Sequence, residues 1–153
     1  MKYRKSISED CEKIYSLVCG LENKELPFDK FQKIYSEQVN NKSFYCLVAE
    51  NNNEILAFLN LRFEEQLHHC ERIAEIMEFF VNPAYRSQGI GKQMFAEATR
   101  IAKAYGCLQL ELASNQLRTD AHRFYLREGM RNFHYKFSQR LTGEAFSENA
   151  IGR

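Results

Sequence analysis

A glycine-containing turn between a strand-like run and a long helix-like run is the sequence feature that most restricts the fold. The apolar run Ile73–Val81 is typical of a β-strand, and Asn82-Pro83 stops it. Gly89 and Gly91 follow, and apolar residues then recur at helical spacing until Gly106, a common helix terminator. This order of strand, turn and helix predicts an α/β fold.

The remaining periodicities predict the order strand, two helices, three meandering strands, helix, strand, helix and strand. The strands are expected at Lys2–Lys5, Phe44–Ala49, Ile55–Phe63, Ile73–Val81, Cys107–Ala113 and Phe133–Phe137, and the helices at 8–21, 29–40, 90–105 and Thr119–Glu128. This order indicates a mixed sheet and not a doubly wound nucleotide fold. We expect one domain, 1–141, and a loosely held tail, 142–153.

Local signals support several of these boundaries. Ser8 is a candidate N-cap, and Asp29 with Gln32 three residues later forms a candidate capping box. Asn51–Asn53 joins two strand-like runs, and asparagine tolerates the left-handed backbone that tight hairpins need. We therefore expect a hairpin at that position.

Charge and apolar patterning exclude several classes of protein. The 153 residues carry 21 basic and 20 acidic side chains, a net charge of +1, which argues against a protein that binds nucleic acid by neutralising phosphates. The run Phe44–Ala49 is far too short to span a membrane, and the N-terminus does not resemble a signal peptide. The five cysteines include no C-x-x-C pair. We therefore expect a soluble cytoplasmic protein with reduced thiols.

The loop 81–92 has the composition of a phosphate site. Its glycines let backbone N–H groups approach a ligand, the helix start adds unpaired donors, and Arg86 and Lys92 add positive charge, which together suit a pyrophosphate. The spacing does not match G-x-x-x-x-G-K, and Met94 breaks G-x-G-x-x-G. From spacing alone, a glycine-eased helix start with two solvated cations is an equally good interpretation.

Three motifs resemble those of the GNAT superfamily of N-acetyltransferases. Residues 86–91 (Arg-Ser-Gln-Gly-Ile-Gly) resemble R/Q-x-x-G-x-G/A, and residues 78–86 resemble E-x-x-V-x-P-x-x-R. Residues 121–130 resemble A-x-x-F-Y-x-x-x-G-F. The departures are Ser87, where the family usually has glycine, and Met130, where it usually has phenylalanine. The resemblance covers about residues 2–141.

A finer resemblance is to bacterial aminoalkylphosphonate N-acetyltransferases. It rests on Leu67-His68-His69, the strand Ile73–Val81 and the segment Asp120–Gly129. This resemblance implies an enzyme that uses acetyl-CoA and acetylates the primary amine of a small molecule, an aminoalkylphosphonate, by direct attack on the thioester. A homodimer is a further expectation. Acetylation of another small amine or of a protein lysine or N-terminus, and a non-catalytic acetyl-CoA-binding module, are the alternatives.

The GNAT resemblance also implies a particular sheet. We expect a mixed, mostly antiparallel sheet of six to seven strands with four helices. Its central strands should splay apart to form the acetyl-CoA cleft.

The same resemblance suggests two catalytic residues. Glu78 is the candidate base that accepts the amine proton, and its alternative role is to balance Arg86 or Arg72 on an exposed strand. Glu75 is the second candidate base; strand alternation places it on the opposite face from Glu78 unless a bulge intervenes. Tyr125 is the candidate acid for the departing thiolate, although its ring can also pack beside its neighbour on an apolar helix face.

The expected cofactor contacts lie along the strand and the glycine loop. Asn115 resembles the polar residue that often contacts pantetheine, and its alternative role is that of a turn residue. The complete set of expected cofactor-binding residues is Phe79, Phe80, Val81, Arg86, Ser87, Gln88, Gly89, Ile90, Gly91, Lys92 and Asn115.

Two further clusters carry weaker expectations. His68-His69-Cys70 invites a metal-site interpretation, but neighbours on an extended strand point in opposite directions, so we expect no metal site there. A role of a histidine near a phosphonate or a divalent ion is the alternative. Four arginines surround the last predicted helix and either are solvated or bind an anion, and they are Arg118, Arg123, Arg127 and Arg131.

Overall fold

The computed structural model describes residues 1–143, and the chain divides into two compact units. The first unit is Met1–Leu112, and the second begins at Ala113. Residues 144–153, most of the expected C-terminal tail, lie outside the described residues.

The first unit is built on a mixed five-stranded sheet whose spatial order follows the chain. Its strands are β1 (Lys2–Lys5), β2 (Phe44–Asn51), β3 (Glu54–Gln66), β4 (Glu71–Val81) and β5 (Gln109–Leu112). Consecutive strands pair antiparallel except β4 and β5, which are parallel. The predicted mixed, mostly antiparallel sheet is therefore confirmed.

Four helices are present among residues 1–143, as predicted. They are α1 (Cys11–Glu22), α2 (Phe28–Val39) and α3 (Ile90–Ala104) in the first unit, and α4 (Thr119–Arg127) in the second. None of these helices combines the length and the apolar composition that a membrane crossing requires.

Two predicted helix starts are wrong by a few residues. Ser8 lies inside a 3₁₀ turn, Ser8–Asp10, that precedes α1, so it does not cap that helix. Pro27 occupies the cap position of α2, and Asp29 is already helical. Proline has a fixed φ that suits a helix start, and the carbonyl oxygen of Pro27 accepts from the N–H of Phe31 at 3.1 Å.

The predicted tight turns are confirmed by left-handed backbone. Asn52 and Asn53 have φ of 49° and 64° and join β2 to β3. Gly106 ends α3 with φ of 76°. These are conformations in which asparagine and glycine are tolerated far better than β-branched residues.

The core of the first unit forms on both faces of the sheet. Val48, Phe58 and Phe80 lie in one row across β2, β3 and β4, and buried side chains of α1 and α2 pack on them. On the opposite face, Tyr105 at the end of α3 contacts Tyr45 and stacks on Phe63. The sheet is thus covered by helices on both sides.

A half-buried ion network joins β1 to β2 and to the start of α1. Arg4 contacts Asp10 and Glu50, each at 2.7 Å. Burial alone would raise the pKa of Asp10, but the hydrogen bonds from Arg4 and from the N–H of Ile7 hold this pKa below its ordinary value. The network therefore stabilises the edge of the sheet at neutral pH.

The predicted number of strands is wrong. Residues 1–143 form five strands, not six or seven, and the predicted last strand, Phe133–Phe137, is irregular and exposed. Its aromatic residues do alternate, but a strand exists only where a neighbouring strand accepts its backbone hydrogen bonds. The described residues give this segment no such neighbour.

Candidate active site

A β-bulge interrupts the central strand pair at the position of the candidate base. Asn60 of β3 pairs with Glu78 of β4, but the next β3 residue, Leu61, pairs with Ile76. Met77 is therefore the extra residue on β4. A bulge of one residue reverses the alternation of side chains beyond it.

The bulge corrects the expected orientation of the two candidate carboxylates. Glu75 pairs with Arg62, which lies two residues from Asn60 on β3 and thus on the same face. Cross-strand partners share a face, so Glu75 and Glu78 project from the same side of the sheet. The uninterrupted alternation that would separate them does not exist here.

Glu78 belongs to a short hydrogen-bond chain. The buried Asn60 donates from Nδ2 to Oε2 of Glu78 at 2.9 Å and to Oε1 of Gln38 at 3.0 Å. Both protons of the amide are thereby used, and both partners accept. Asn60 thus fixes one oxygen of the Glu78 carboxylate and links it to α2.

Glu75 is held by a cation instead. Its Oε2 accepts from Nη2 of Arg62 at 2.9 Å, and the same nitrogen lies 3.5 Å from Glu64. The two carboxylates therefore differ in the contacts described for them, an arginine at Glu75 and the amide of Asn60 at Glu78.

A pocket of about 180 Å³ lies beside Glu78, between the sheet and the helices α1 and α2. Most of its walls are apolar side chains of the two helices and of β2 and β3. Its lining residues are Lys5, Ser6, Ile14, Val18, Phe31, Ile34, Tyr35, Gln38, Val39, Phe44, Cys46, Phe58, Asn60 and Glu78.

One side of this pocket is lined by polar residues on β2, β3 and β4 and by Ser6, which directly follows β1. Cys46 pairs with Asn60, Asn60 pairs with Glu78, and the N–H of Ser6 donates to the carbonyl oxygen of Cys46 at 2.8 Å. Burial raises the pKa of the Cys46 thiol to about 12, so this thiol stays neutral and unreactive at physiological pH. Glu78 is the carboxylate among these residues.

The loop after β4 has the backbone geometry of an anion site. Pro83–Tyr85 forms a 3₁₀ turn, Ser87 and Gly89 have φ of 62° and 82°, and α3 begins at Ile90. A side chain built on Gly89 would meet no atom within 4 Å, so the space over the loop is open. The first turn of α3 presents N–H groups that lack intrahelical acceptors. Ser87 has the left-handed backbone that the family's glycine would adopt easily.

The expected loop residues are divided by exposure. Ile90 is buried and anchors α3 in the core, whereas Gln88 and Lys92 are exposed. Arg86 donates from Nε to the carbonyl oxygen of Val81 at 3.0 Å, and its guanidinium carbon lies 5.3 Å from the centre of the Phe80 ring. The exposed Arg86 is thus held against the end of β4.

The strand residues expected to contact the cofactor lie beyond the β5 ladder. The pairing of β4 with β5 ends at Ile76 and Leu112, five residues before β4 ends at Val81. The Phe80 ring is buried against α1, where a Cβ on Gly20 would meet it at 3.1 Å. Phe80 can therefore offer a ligand its backbone but not its ring.

In the second unit, Asn115 makes a turn before α4. Its Oδ1 accepts from the N–H of Leu117 at 2.8 Å, and its carbonyl oxygen lies 2.8 Å from Nε2 of His122. These contacts are typical of a turn residue, which was the alternative role expected for Asn115. They hold Asn115 in the turn that precedes α4.

Tyr125 lies near the end of α4 in the second unit. Its ring centroid is 5.4 Å from that of Phe124 in an edge-to-face arrangement, and it is half-buried. Its carbonyl oxygen accepts from the N–H of Met130 at 3.0 Å, and Gly129 closes the helix with φ of 94°. The A-x-x-F-Y-x-x-x-G motif is thus one helix with its C-terminal turn.

The remaining sequence candidates lie at exposed positions, except His69, which is partly buried. His68 and His69 sit in the turn between β3 and β4, where Nδ1 of His69 is 2.7 Å from Oε1 of Gln66. Within residues 1–143, no group of three or more His, Cys, Asp and Glu side chains is arranged to hold a metal ion. Arg123 forms an ion pair with Asp120 on the surface of α4.

Sequence reasoning did not find Gln38, Asn60 and Arg62. The signal was present in β3, where Asn60 and Arg62 interrupt a run that is otherwise apolar from Ile55 to Phe63. Polar residues two positions apart on a buried strand share one face and indicate a site on that face.

Comparisons with known proteins identify the family of this chain. Residues 8–130 match the acetyltransferase (GNAT) family. An aminoalkylphosphonate N-acetyltransferase of Salmonella typhimurium is 36% identical over 138 residues, which cover 90% of each chain.

Solved structures share the fold along nearly the whole chain. A protein of Bacillus halodurans described as a transcriptional regulator is 26% identical with a TM-score of 0.84, covering 92% of this chain and 99% of that one. An aminoglycoside N-acetyltransferase in complex with CoA is 17% identical with a TM-score of 0.82, covering 91% and 93%. The chain is therefore a member of the acetyltransferase (GNAT) family and an N-acetyltransferase.

Proposed function

We propose that this acetyltransferase acts on the primary amine of a small aminoalkylphosphonate, with Glu78 as the base. The observation that carries the proposal is the position of Glu78, which lies beside the bulge on β4 and at the edge of a pocket. The same strand leads directly into the glycine loop. The phosphonate is suggested by the 36% identical Salmonella typhimurium enzyme.

The base is needed because the acceptor is protonated in water. An alkylammonium with a pKa near ~10 costs about 4 kcal/mol to neutralise at pH 7. Bound acetyl-CoA supplies the thioester carbon that the amine nitrogen attacks and the thiolate that leaves. Glu78 takes the ammonium proton, directly or through water, and the Tyr125 hydroxyl gives a proton to the departing sulfur. The second nitrogen proton, lost as the C–N bond forms and the C–S bond breaks, returns to the Tyr125 oxygen, so the one proton released in the reaction rests on Glu78.

The loop 86–92 fits the pyrophosphate of acetyl-CoA. It combines open space over Gly89, the N-terminus of α3 and the exposed Lys92. Backbone groups of Phe79, Phe80 and Val81 would hold the pantetheine arm and the thioester carbonyl in the cleft beyond the β5 ladder. Asn115 would contact the pantetheine. The remaining contacts in the loop would come from Arg86, Ser87, Gln88, Ile90 and Gly91.

Gly91→Val should weaken acetyl-CoA binding at least about tenfold while the fold survives. Gly91 is the second residue of α3, where a branched side chain would obstruct the approach of a phosphate to the backbone N–H groups. Calorimetry gives the affinity, and thermal unfolding checks the fold. Ala96→Val, an exposed position on the same helix, is the matched control and should bind normally. Unchanged affinity in a folded Gly91→Val protein would remove the pyrophosphate from this loop.

The acceptor class is tested by thiol release from acetyl-CoA. 2-Aminoethylphosphonate should exceed propylamine in kcat/KM by at least about tenfold. A site that accepts a phosphonate from water must supply charge-assisted hydrogen bonds to it, and propylamine has no group that can use them. Spermidine and a lysine-containing peptide serve as comparison acceptors. A clear preference for either of these, or for propylamine, would contradict the phosphonate assignment but not the acetyltransferase activity.

The organisation of the protein in the cell belongs to the same proposal. We propose one catalytic domain, 1–141, supported by a family match that runs through both compact units. All five cysteines lie among the described residues as free thiols, which suits a reducing cytoplasm. A homodimer is the assembly we propose.

A further inference from the structure

The pocket beside Glu78 provides a place for an amine, but the ammonium of its basic lining residue lies against a ring on the other face of the sheet. Lys5 is the basic residue among its lining residues. The Lys5 ammonium lies 5.5 Å from the centre of the Tyr45 ring. Tyr45 belongs to the α3 face of the sheet, opposite the pocket. An acceptor with an anionic group therefore needs a cation from outside the pocket lining.

Arg62 is a cation on the correct face of the sheet. It lies two residues from Asn60 along β3, a rise of about 7 Å, and its partner Glu75 lies three residues from Glu78 across the bulge. The glycine loop follows the other end of β4. Arg62 is thus on the side of Glu78 away from the proposed pyrophosphate loop, where the body of an acceptor would extend.

The hydrogen bonding of Arg62 is incomplete. Its contacts with Glu64 and Glu75 both use the same nitrogen, Nη2. Its Nε is buried and has no hydrogen-bond partner among residues 1–143. A buried N–H of a charged group that lacks an acceptor is costly, and a bound anion or a water molecule would satisfy it.

The side chain is nevertheless reachable and held in place. About a third of it, 35%, is exposed, and the 2.9 Å contact with Glu75 fixes the plane of the guanidinium. A guanidinium is suited to a phosphonate because its N–H groups match the spacing of two oxygens.

We propose that Arg62 determines acceptor specificity by binding the anionic group of the acceptor while Glu78 receives the amine, with Glu75 as the residue that positions Arg62. This inference rests on the proposed function. The proposed anion site is therefore Arg62 and not the arginines around α4. One of those arginines, Arg123, is already paired with Asp120.

The test compares two acceptors that differ in charge and little else. The acceptors are 2-aminoethylphosphonate and its neutral dimethyl ester, and the measured quantity is the ratio of their kcat/KM values. Arg62→Gln should lower this ratio at least about tenfold, mainly through the KM of the phosphonate. Arg62→Lys should restore part of the ratio, since it keeps the charge but loses the planar fork. Loss of folded protein reduces both rates equally and leaves the ratio unchanged.

Arg123→Gln is the matched control and should keep the wild-type ratio. A normal ratio in Arg62→Gln, or a ratio lost in Arg123→Gln alone, would overturn the assignment of Arg62. A wild-type enzyme that acetylates other amines but no phosphonate would instead contradict the proposed acceptor class. The two failures are therefore distinguishable.

Discussion

Glu78→Gln should lower kcat/KM for the acceptor by about 10²-fold near neutral pH, the contribution expected of a general base. Glutamine keeps the shape of the side chain, and its amide oxygen can still accept the hydrogen bond that Asn60 donates to Oε2. The change therefore removes the proton acceptor and spares the packing. The deficit should narrow at high pH, where more of the amine is already neutral.

The wild-type rate should rise with pH through an apparent pKa that belongs to the coupled base and amine together. The measurement is a pH profile of kcat/KM for both proteins. An equal deficit at every pH would mean that Glu78 positions the acceptor without taking its proton.

Glu75→Gln is the matched control for this prediction, and we expect it to lose much less activity. The two carboxylates share a face because of the bulge at Met77, so their orientation does not distinguish them. Their partners do, since Glu75 is paired with Arg62 and Glu78 accepts from a neutral amide. Glu75→Gln should raise KM for phosphonates and leave the pH profile in place. If Glu75→Gln loses most of its activity while Glu78→Gln remains active, Glu75 and not Glu78 would be the base.

Tyr125→Phe should lower kcat by about 10²-fold while acetyl-CoA binds with nearly unchanged affinity. The substitution keeps the ring that packs edge-to-face on Phe124 and removes the hydroxyl proton donor. A thiolate that leaves without a proton is a poorer leaving group, so the loss should fall on kcat.

Steady-state kinetics and calorimetry with acetyl-CoA separate turnover from binding. Tyr135→Phe, at an exposed position of the same unit, should behave as the wild type. If Tyr125→Phe turns over normally, the tyrosine has a packing role and the thiolate leaves without its help.

The segment from β4 to α3 shows how much a sequence can predict on its own. A strand ended by Asn82-Pro83, glycine at a left-handed position and a helix with a regular apolar face are local properties, set by the conformations that each residue permits. These local properties predicted the four helices and the order of the elements through α4. The same segment carries two of the motifs that resemble those of the GNAT family. The predicted strand Phe133–Phe137 was wrong because alternation describes a side-chain pattern and not a backbone partner.

The chemistry around Glu78 depends on contacts between residues that are distant in sequence. Asn60 becomes a partner of Glu78 through the register of β3 against β4, and Gln38 joins them because α2 packs over that face. The bulge at Met77 brings Glu75 to the same side, which no local pattern could reveal, because a one-residue shift in pairing leaves the apolar composition of β4 unchanged. By itself the sequence predicted the four helices, the five strands that form and the turn between β4 and α3. The tertiary structure alone decided which side chains contact the two carboxylates, Arg62 at Glu75 and Asn60 at Glu78, because strand register and helix packing are set by the whole core.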